Sequence, residues 1–230
     1  MQEDIRAKGM ILASAPQGEY GRRLTVLTDR FGKICVFAQA AAKPKSHLLG
    51  LTLPMTCAAF RLSRGKNAWN LHGVELIDSF SGVTGDFDRS LSGMYFLELL
   101  SFFSQEGMEE AEARKLLNLS FVALKALEND RFFAKEGRTA SAELIRRIFE
   151  LRILVTEGEY TERPEGSVSE EVEALWHYAA RAKLSELFSE QVYEGLSREG
   201  AERFGLCVRT LFKRQVPVRF KSLAVLRELE

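Results

Sequence analysis

Between Ile5 and Phe80 the apolar residues come in short runs: Arg6 to Ala13, Arg23 to Thr28, Lys33 to Ala38, Met55 to Ser63 and Ala68 to Ile77. Gly, Pro and charged residues separate them. Runs of this length bounded by turn residues predict β-strands. Arg64-Gly65-Lys66-Asn67, between the last two, reads as a hairpin turn, because Gly and Asn are residue types that take a positive φ. Five short antiparallel strands in under 80 residues predict a small barrel on the OB-fold plan, in which closure removes exposed edges; an SH3-like barrel is the structural alternative.

After Phe80 the turn residues thin out and a helical period takes over. Phe87, Leu91, Met94, Tyr95, Leu97, Glu98 and Phe102 mark one helix, and Leu116, Leu119, Phe121, Val122, Leu124 and Leu127 a second. A third, over Ala142 to Val155, places Leu144, Ile145, Ile148, Phe149 and Leu151 on one stripe with Arg146, Arg147 and Arg152 off it. Ser167-Val168-Ser169-Glu170 has capping-box spacing and opens a fourth helix through Leu175 and Trp176. Two more are expected over Leu184 to Ser189 and Gly200 to Arg214, the latter stopped before Pro217. The chain is therefore read as α+β, with an OB-fold domain over residues 1–80 and an all-α helical domain over 81–230.

Charge changes the picture, because the formal neutrality is a cancellation. Residues 1–80 hold 11 Lys and Arg against 6 Asp and Glu, net +5, which leaves 21 against 26, net −5, for the remainder. Between Arg22 and Lys66, the basic residues Arg22, Arg23, Arg30, Lys33, Lys43, Lys45, Arg61, Arg64 and Lys66 face one acid, Asp29. A basic set on a small barrel points to a polyanion, for which nucleic acid is the usual case. Tyr20, Phe31, Phe37, Phe60 and Trp69 are aromatics near those charges. Phe37 and Phe60 lie in strand cores and read as packed inside, while Tyr20 and Trp69 read equally as base-stacking platforms or as ordinary packing.

Other chemistry is thinly signalled. Cys35, Cys57 and Cys207 form no C-x-x-C pair, which argues against a disulfide framework or thiolate zinc site and for a reducing cytoplasm. The acidic start Met1-Gln2-Glu3-Asp4 and the lack of a long apolar run argue against export and membrane spanning. Gly32-Lys33 and Gly65-Lys66 lack the rest of a P-loop, and His47, His72 and His177 are isolated in sequence. The acids at Asp86 and Asp88, at Glu109, Glu110 and Glu112, and at Glu170, Glu171 and Glu173 fall where helices should start, so they read as first-turn residues before they read as metal ligands of a nuclease. No catalytic residue is assigned.

Gly18-Glu19-Tyr20-Gly21-Arg22-Arg23-Leu24-Thr25, Leu27-Thr28, Phe31-Gly32-Lys33, Lys43-Pro44-Lys45-Ser46, Leu49-Gly50 and Pro54, in that order, resemble the first domain, an OB-fold, of the RecO family of bacterial DNA repair proteins. Ser141 to Leu154 is similar to part of that family's helical domain, and Arg219-Phe220-Lys221-Ser222-Leu223 to its closing segment. The resemblance implies a non-enzymatic recombination mediator, cytoplasmic and nucleoid-associated. Such a protein binds single- and double-stranded DNA, anneals complementary strands, contacts the single-stranded DNA-binding protein, and acts with RecR and often RecF to load RecA.

Arg22, Arg23, Lys33, Lys43, Lys45, Arg61, Arg64 and Lys66, with Tyr20 and Trp69, are then the expected nucleic-acid contacts. Arg146 and Arg147 are candidates to receive an acidic, apolar-ended tail such as that of the single-strand-binding protein; packing or ordinary surface charge is the alternative. Two departures from the family stand out. Many members insert a four-cysteine zinc module where this chain has Gly158 to Ser169 without cysteine, so neither zinc nor another cofactor is expected. Members also often place Gly and Arg where this chain has Gln39-Ala40-Ala41-Ala42, which could weaken the DNA grip at that edge. The rival functions are an adaptor whose barrel binds an acidic protein, and a nuclease using Asp86 and Asp88.

Overall fold

A computed structural model of the chain describes residues 4–129, 138–189 and 196–229; residues 1–3, part of the N-terminal reading above, lie outside them. Five strands, β1 (Ile5–Gln17), β2 (Gly21–Thr28), β3 (Gly32–Ala38), β4 (Cys57–Arg64) and β5 (Trp69–Asp78), close an OB-fold barrel in the order β1-β2-β3-β5-β4. The closing pair differs from the all-antiparallel expectation. β3 and β5 run parallel, through Val36↔Trp69 and Phe37↔Asn70, because the segment between β3 and β4 reverses the direction of the following hairpin. Strand alternation sends Leu24, Val26, Ile34, Val36, Phe60, Leu62 and Trp69 into one apolar core. A bulge between Ile11 and Ala13 bends the long β1, so that its first half pairs with β4 and its second with β2.

The chain divides into two compact units, Met1–Ser81 with Gly93–Phe121, and Gly82–Ser92 with Val122–Glu230. The first unit thus takes in residues beyond the barrel: parts of the helices α2 (Phe87–Phe103) and α3 (Glu110–Glu128) and the strap between them. The strap is bonded to β3. Lys33 N–H donates to Gln105 O (3.0 Å), Gly107 N–H donates to Phe31 O (3.1 Å), and Glu106 bridges Gly32.

Gly32 has φ +67°, and a Cβ there would run into the Gln105 carbonyl and lie 2.9 Å from Met108 Cγ. Gly32→Ala is therefore expected to destabilise the barrel by about 2 kcal/mol, combining left-handed strain with loss of the strap. Amide exchange should show it as faster exchange at Lys33 and Gly107; unchanged protection would exclude this role. The β4–β5 turn is made differently from expectation. Gly65 N–H donates to Ala68 O (2.8 Å), and neither Gly65 nor Asn67 has a positive φ. What glycine supplies there is space, since a Cβ would sit 2.6 Å from the Ala68 oxygen.

In the second unit α4 (Arg138–Thr156), α5 (Glu170–Arg181) and α6 (Arg198–Gln215) pack on one another, with Trp176 edge-on to Phe204 at 6.2 Å between ring centroids. α1 (Ser81–Thr84) and α7 (Lys221–Leu229) add to the helices that periodicity marked. Leu184 to Ser189, expected as a helix, is a pair of turns closed by Glu186 N–H to Lys183 O and Ser189 N–H to Glu186 O. The capping box at Ser167 to Glu170 does not form either. Ser169 is the N-cap but makes no side-chain cap bond, and Glu171 reaches instead to Ser197 N–H (3.0 Å) and Ser197 Oγ (2.7 Å) at the start of α6. Among the described residues no helix is long and apolar enough to cross a membrane.

Candidate nucleic-acid interface

Strand alternation decides which basic residues share a face. On β2 and β3 the inward pairs are Leu24↔Val36 and Val26↔Ile34, so Arg23↔Phe37, Thr25↔Cys35 and Leu27↔Lys33 belong to the other side. Phe37, expected inside, is half-buried and lies directly across from exposed Arg23. Phe60 is in the core as expected.

The β1–β2 loop and the segment after β3 meet beside this face, where Ala42 N–H donates to Tyr20 O (2.9 Å). Lys43-Pro44-Lys45-Ser46 is a β-turn closed by Ser46 N–H to Lys43 O (2.9 Å). Pro44 at its second position sets φ and helps hold exposed Lys43 and Lys45 on a stiff loop. Lys43 Nζ stands 5.8 Å from the Tyr20 ring centroid, a cation over an aromatic face that is itself 41% exposed. Arg22, half-buried, donates from Nη1 to Ser14 Oγ (3.1 Å) at the start of β2. The Gln39–Ala42 departure is also visible, as Ala40 has φ +53° where glycine would be unstrained, and Ala41 is buried in the barrel core.

Parallel pairing at Val36↔Trp69 lays the β4–β5 turn along the first half of β3. Lys66 is exposed there, and the Arg64 guanidinium lies 5.4 Å over the Trp69 ring and 3.8 Å from Glu106 Oε1. Trp69 is corrected from a base platform to a core residue. It is 3% exposed and tilted against Phe31 at 4.7 Å, so a base could reach it only by displacing the barrel packing.

Two other expected contacts point elsewhere. Lys33 donates to the Ser101 carbonyl in the last turn of α2, and burial lowers its pKa, so α2 engages that ammonium away from the β2–β3 face. Arg61 pairs with Arg6 and Gly73 on the opposite wall, formed by β1, β4 and β5. The nine basic residues therefore do not converge on one face.

Arg146 and Arg147 are corrected as well. Each is 2% exposed. Arg147 bonds Glu150 Oε2 (2.8 Å) and Glu143 Oε1 (3.1 Å), and Arg209 reaches the same Glu143 oxygen (3.2 Å). That is an internal ion network, and it offers no surface for an acidic tail. Asp86 accepts the Arg89 backbone N–H at 3.1 Å, the bond of a helix N-cap. Among the described residues no three His, Cys, Asp or Glu are grouped as a metal site.

Phe37 is an aromatic that the strand pattern was expected to bury and that the structure leaves half-buried across from Arg23. Period-two alternation from Lys33 through Cys35 already put it on the outer row.

Residues 1–80 match the family model described as Recombination protein O N terminal. The protein called DNA repair protein RecO in Clostridium novyi is 29% identical over 154 residues, 67% of this chain and 56% of that protein. Its namesake in Caldicellulosiruptor bescii is 30% identical over 155 residues, 67% and 58% of the two chains. In Heliobacterium modesticaldum the figure is 34% over 101 residues, 44% and 37%. The match spans less than three-fifths of the length of each of these relatives.

Proposed function

This chain belongs to the RecO family, and from that premise we propose that its barrel binds single- and double-stranded DNA through the β2–β3 face and promotes annealing of complementary strands as a non-enzymatic recombination mediator. The observation that carries the reading is the cluster of Tyr20, Arg23, Phe37 and Lys43. Exposed or half-buried aromatics and cations gather where OB-folds take oligonucleotides, on strands 2 and 3 beside the first loop. Lys45, Lys66, Arg22 and Arg64 extend the basic row for the phosphate backbone. Docking on RecR and on the single-stranded DNA-binding protein, and assistance to RecA loading, belong to the same proposal. Its support is the family alone, as is that for a cytoplasmic, nucleoid-associated location.

Four to six neutralised phosphates should give log K for a single strand a slope of about −2.8 to −4.2 against log salt. A labelled oligo-dT titrated in fluorescence anisotropy over a salt series measures it. A flat response, or no binding at low salt, would sink the proposal and favour an adaptor that binds an acidic protein.

A further inference from the structure

The wall of the barrel away from the β2–β3 face has its own arrangement of cations. Arg6 on β1 is paired with Arg61 on β4, and Arg61 with Gly73 on β5, while the neighbours Ala7, Phe60 and Val74 turn inward. Two arginines directly opposite on adjacent strands repel, an arrangement that favours a bound anion between them. Asp4 Oδ2 is 3.9 Å from Arg61 Nη1 with both side chains half exposed, a weak pair in water.

The position of Arg61 is prepared by its neighbours. A Cβ on Gly73 would sit 2.8 Å from Arg61 Nε, so glycine alone leaves room for the guanidinium to lie across β5. A bulge between Arg61 and Leu62 sets His72 as the extra residue of β5, and the His72 carbonyl accepts from Arg61 Nη2 at 3.3 Å. With Ala59 and Gly73 as small floor residues, the result is an open cavity of about 460 Å³ rimmed by Arg6, Arg61, His47 and His72, with Glu75 as the acid in its lining. The His72 ring is held by Ser63 Oγ at 2.6 Å.

We infer that this groove is a second site for the sugar–phosphate backbone, so that one molecule grips two DNA strands on opposite walls of one barrel. The inference rests on the DNA-binding reading of the β2–β3 face and says what that reading leaves open, how two strands are brought together. Forked guanidinium donors suit phosphate oxygens, a shallow floor of Ala and Gly lets a backbone approach, and the Phe60 ring in the lining is fully buried in the barrel core, where no base can stack on it. Strands held on separate walls can meet by their bases without competing for one set of cations.

The test uses the whole chain with short oligo-dT strands carrying two different labels, which cannot pair with each other. Sedimentation should find two strands per protein for the wild type. It should find one for Arg6→Gln/Arg61→Gln and for Gly73→Val, with first-strand affinity within about twofold, since the three substituted residues lie on β1, β4 and β5 and not on the β2–β3 face. An unchanged stoichiometry of two in both variants would overturn the second site. So would an equal loss of the first strand, since the groove would then be part of the primary path. A wild type that binds no strand defeats the DNA-binding reading itself, whereas one strand per wild-type protein defeats only this inference.

Discussion

Replacing Arg23, Lys43 and Lys45 together by glutamate is expected to lower single-strand affinity about 100-fold at 0.1 M salt. Each phosphate contact to a single strand contributes roughly 0.7 to the salt slope, so at that concentration each lost contact removes about 0.7 of a decade and three remove about two decades. Repulsion from the new carboxylates adds to the loss. The salt slope should shrink by about 2 in parallel, which separates a true loss of phosphate contacts from a general weakening. Thermal stability should hardly change, because all three side chains are exposed and ion pairs of such groups contribute little to folding. Anisotropy titrations and a melting curve measure both. An affinity within threefold of wild type would remove the β2–β3 face from the path. Tyr20→Ala in the same background tests stacking, since it should cost affinity without altering the slope.

In the helical unit, Arg147→Met is expected to destabilise by about 3–5 kcal/mol, the cost of leaving buried carboxylates without their cation. Glu150 is 1% exposed and Glu143 half-buried, and Arg147 bonds both. Burial alone would disfavour the Arg147 charge, but Glu150 and Glu143 outweigh it and hold the pKa above its ordinary value. The double variant Arg147→Met/Glu150→Met should lose less than the single one, because removing both partners leaves no orphan at Glu150. Denaturant unfolding of the three proteins tests this, and a neutral Arg147→Met would show that the network contributes nothing.

The same network sets an acid limit. Burial raises the Glu143 pKa, but Arg147, Arg146 and Arg209 more than reverse it, so the carboxyl titrates below its ordinary value. A depressed folded pKa means the stabilisation is present above the unfolded glutamate pKa and is lost as pH falls from there through the lower folded value. Arg147→Met should blunt that acid dependence.

The two predictions concern arginines that look alike in the sequence and differ in three dimensions. Arg23 and Arg147 both lie off the apolar stripe of a regular element, and by that pattern alone both are candidates for a surface cation, with packing the alternative for Arg147. In β2 that inference held, because a two-residue period has only two faces and the inner one was marked by Leu24 and Val26. In α4 it failed, since a helix packed by both α5 and α6 has more than one buried side, and the partners Glu143 and Glu150 let charge go inside. Lys33 and Trp69 teach a similar lesson. Nothing local to Lys33 announces that the last turn of α2, 68 residues later, supplies a carbonyl for its ammonium, and Trp69 beside a turn could equally have capped the surface.

Apolar periodicity, turn residues and the segregation of charge sufficed for five strands, an OB-fold barrel, a helical remainder and a net basic first 80 residues, because those are local properties of consecutive residues. The parallel closure of β3 on β5, the burial of Trp69, Arg146 and Arg147, the diversion of Lys33, and the split of the cations between two walls were decided only by the tertiary structure. Each depends on which distant strand or helix becomes a neighbour, and barrel closure and helix packing set that through contacts no local pattern encodes.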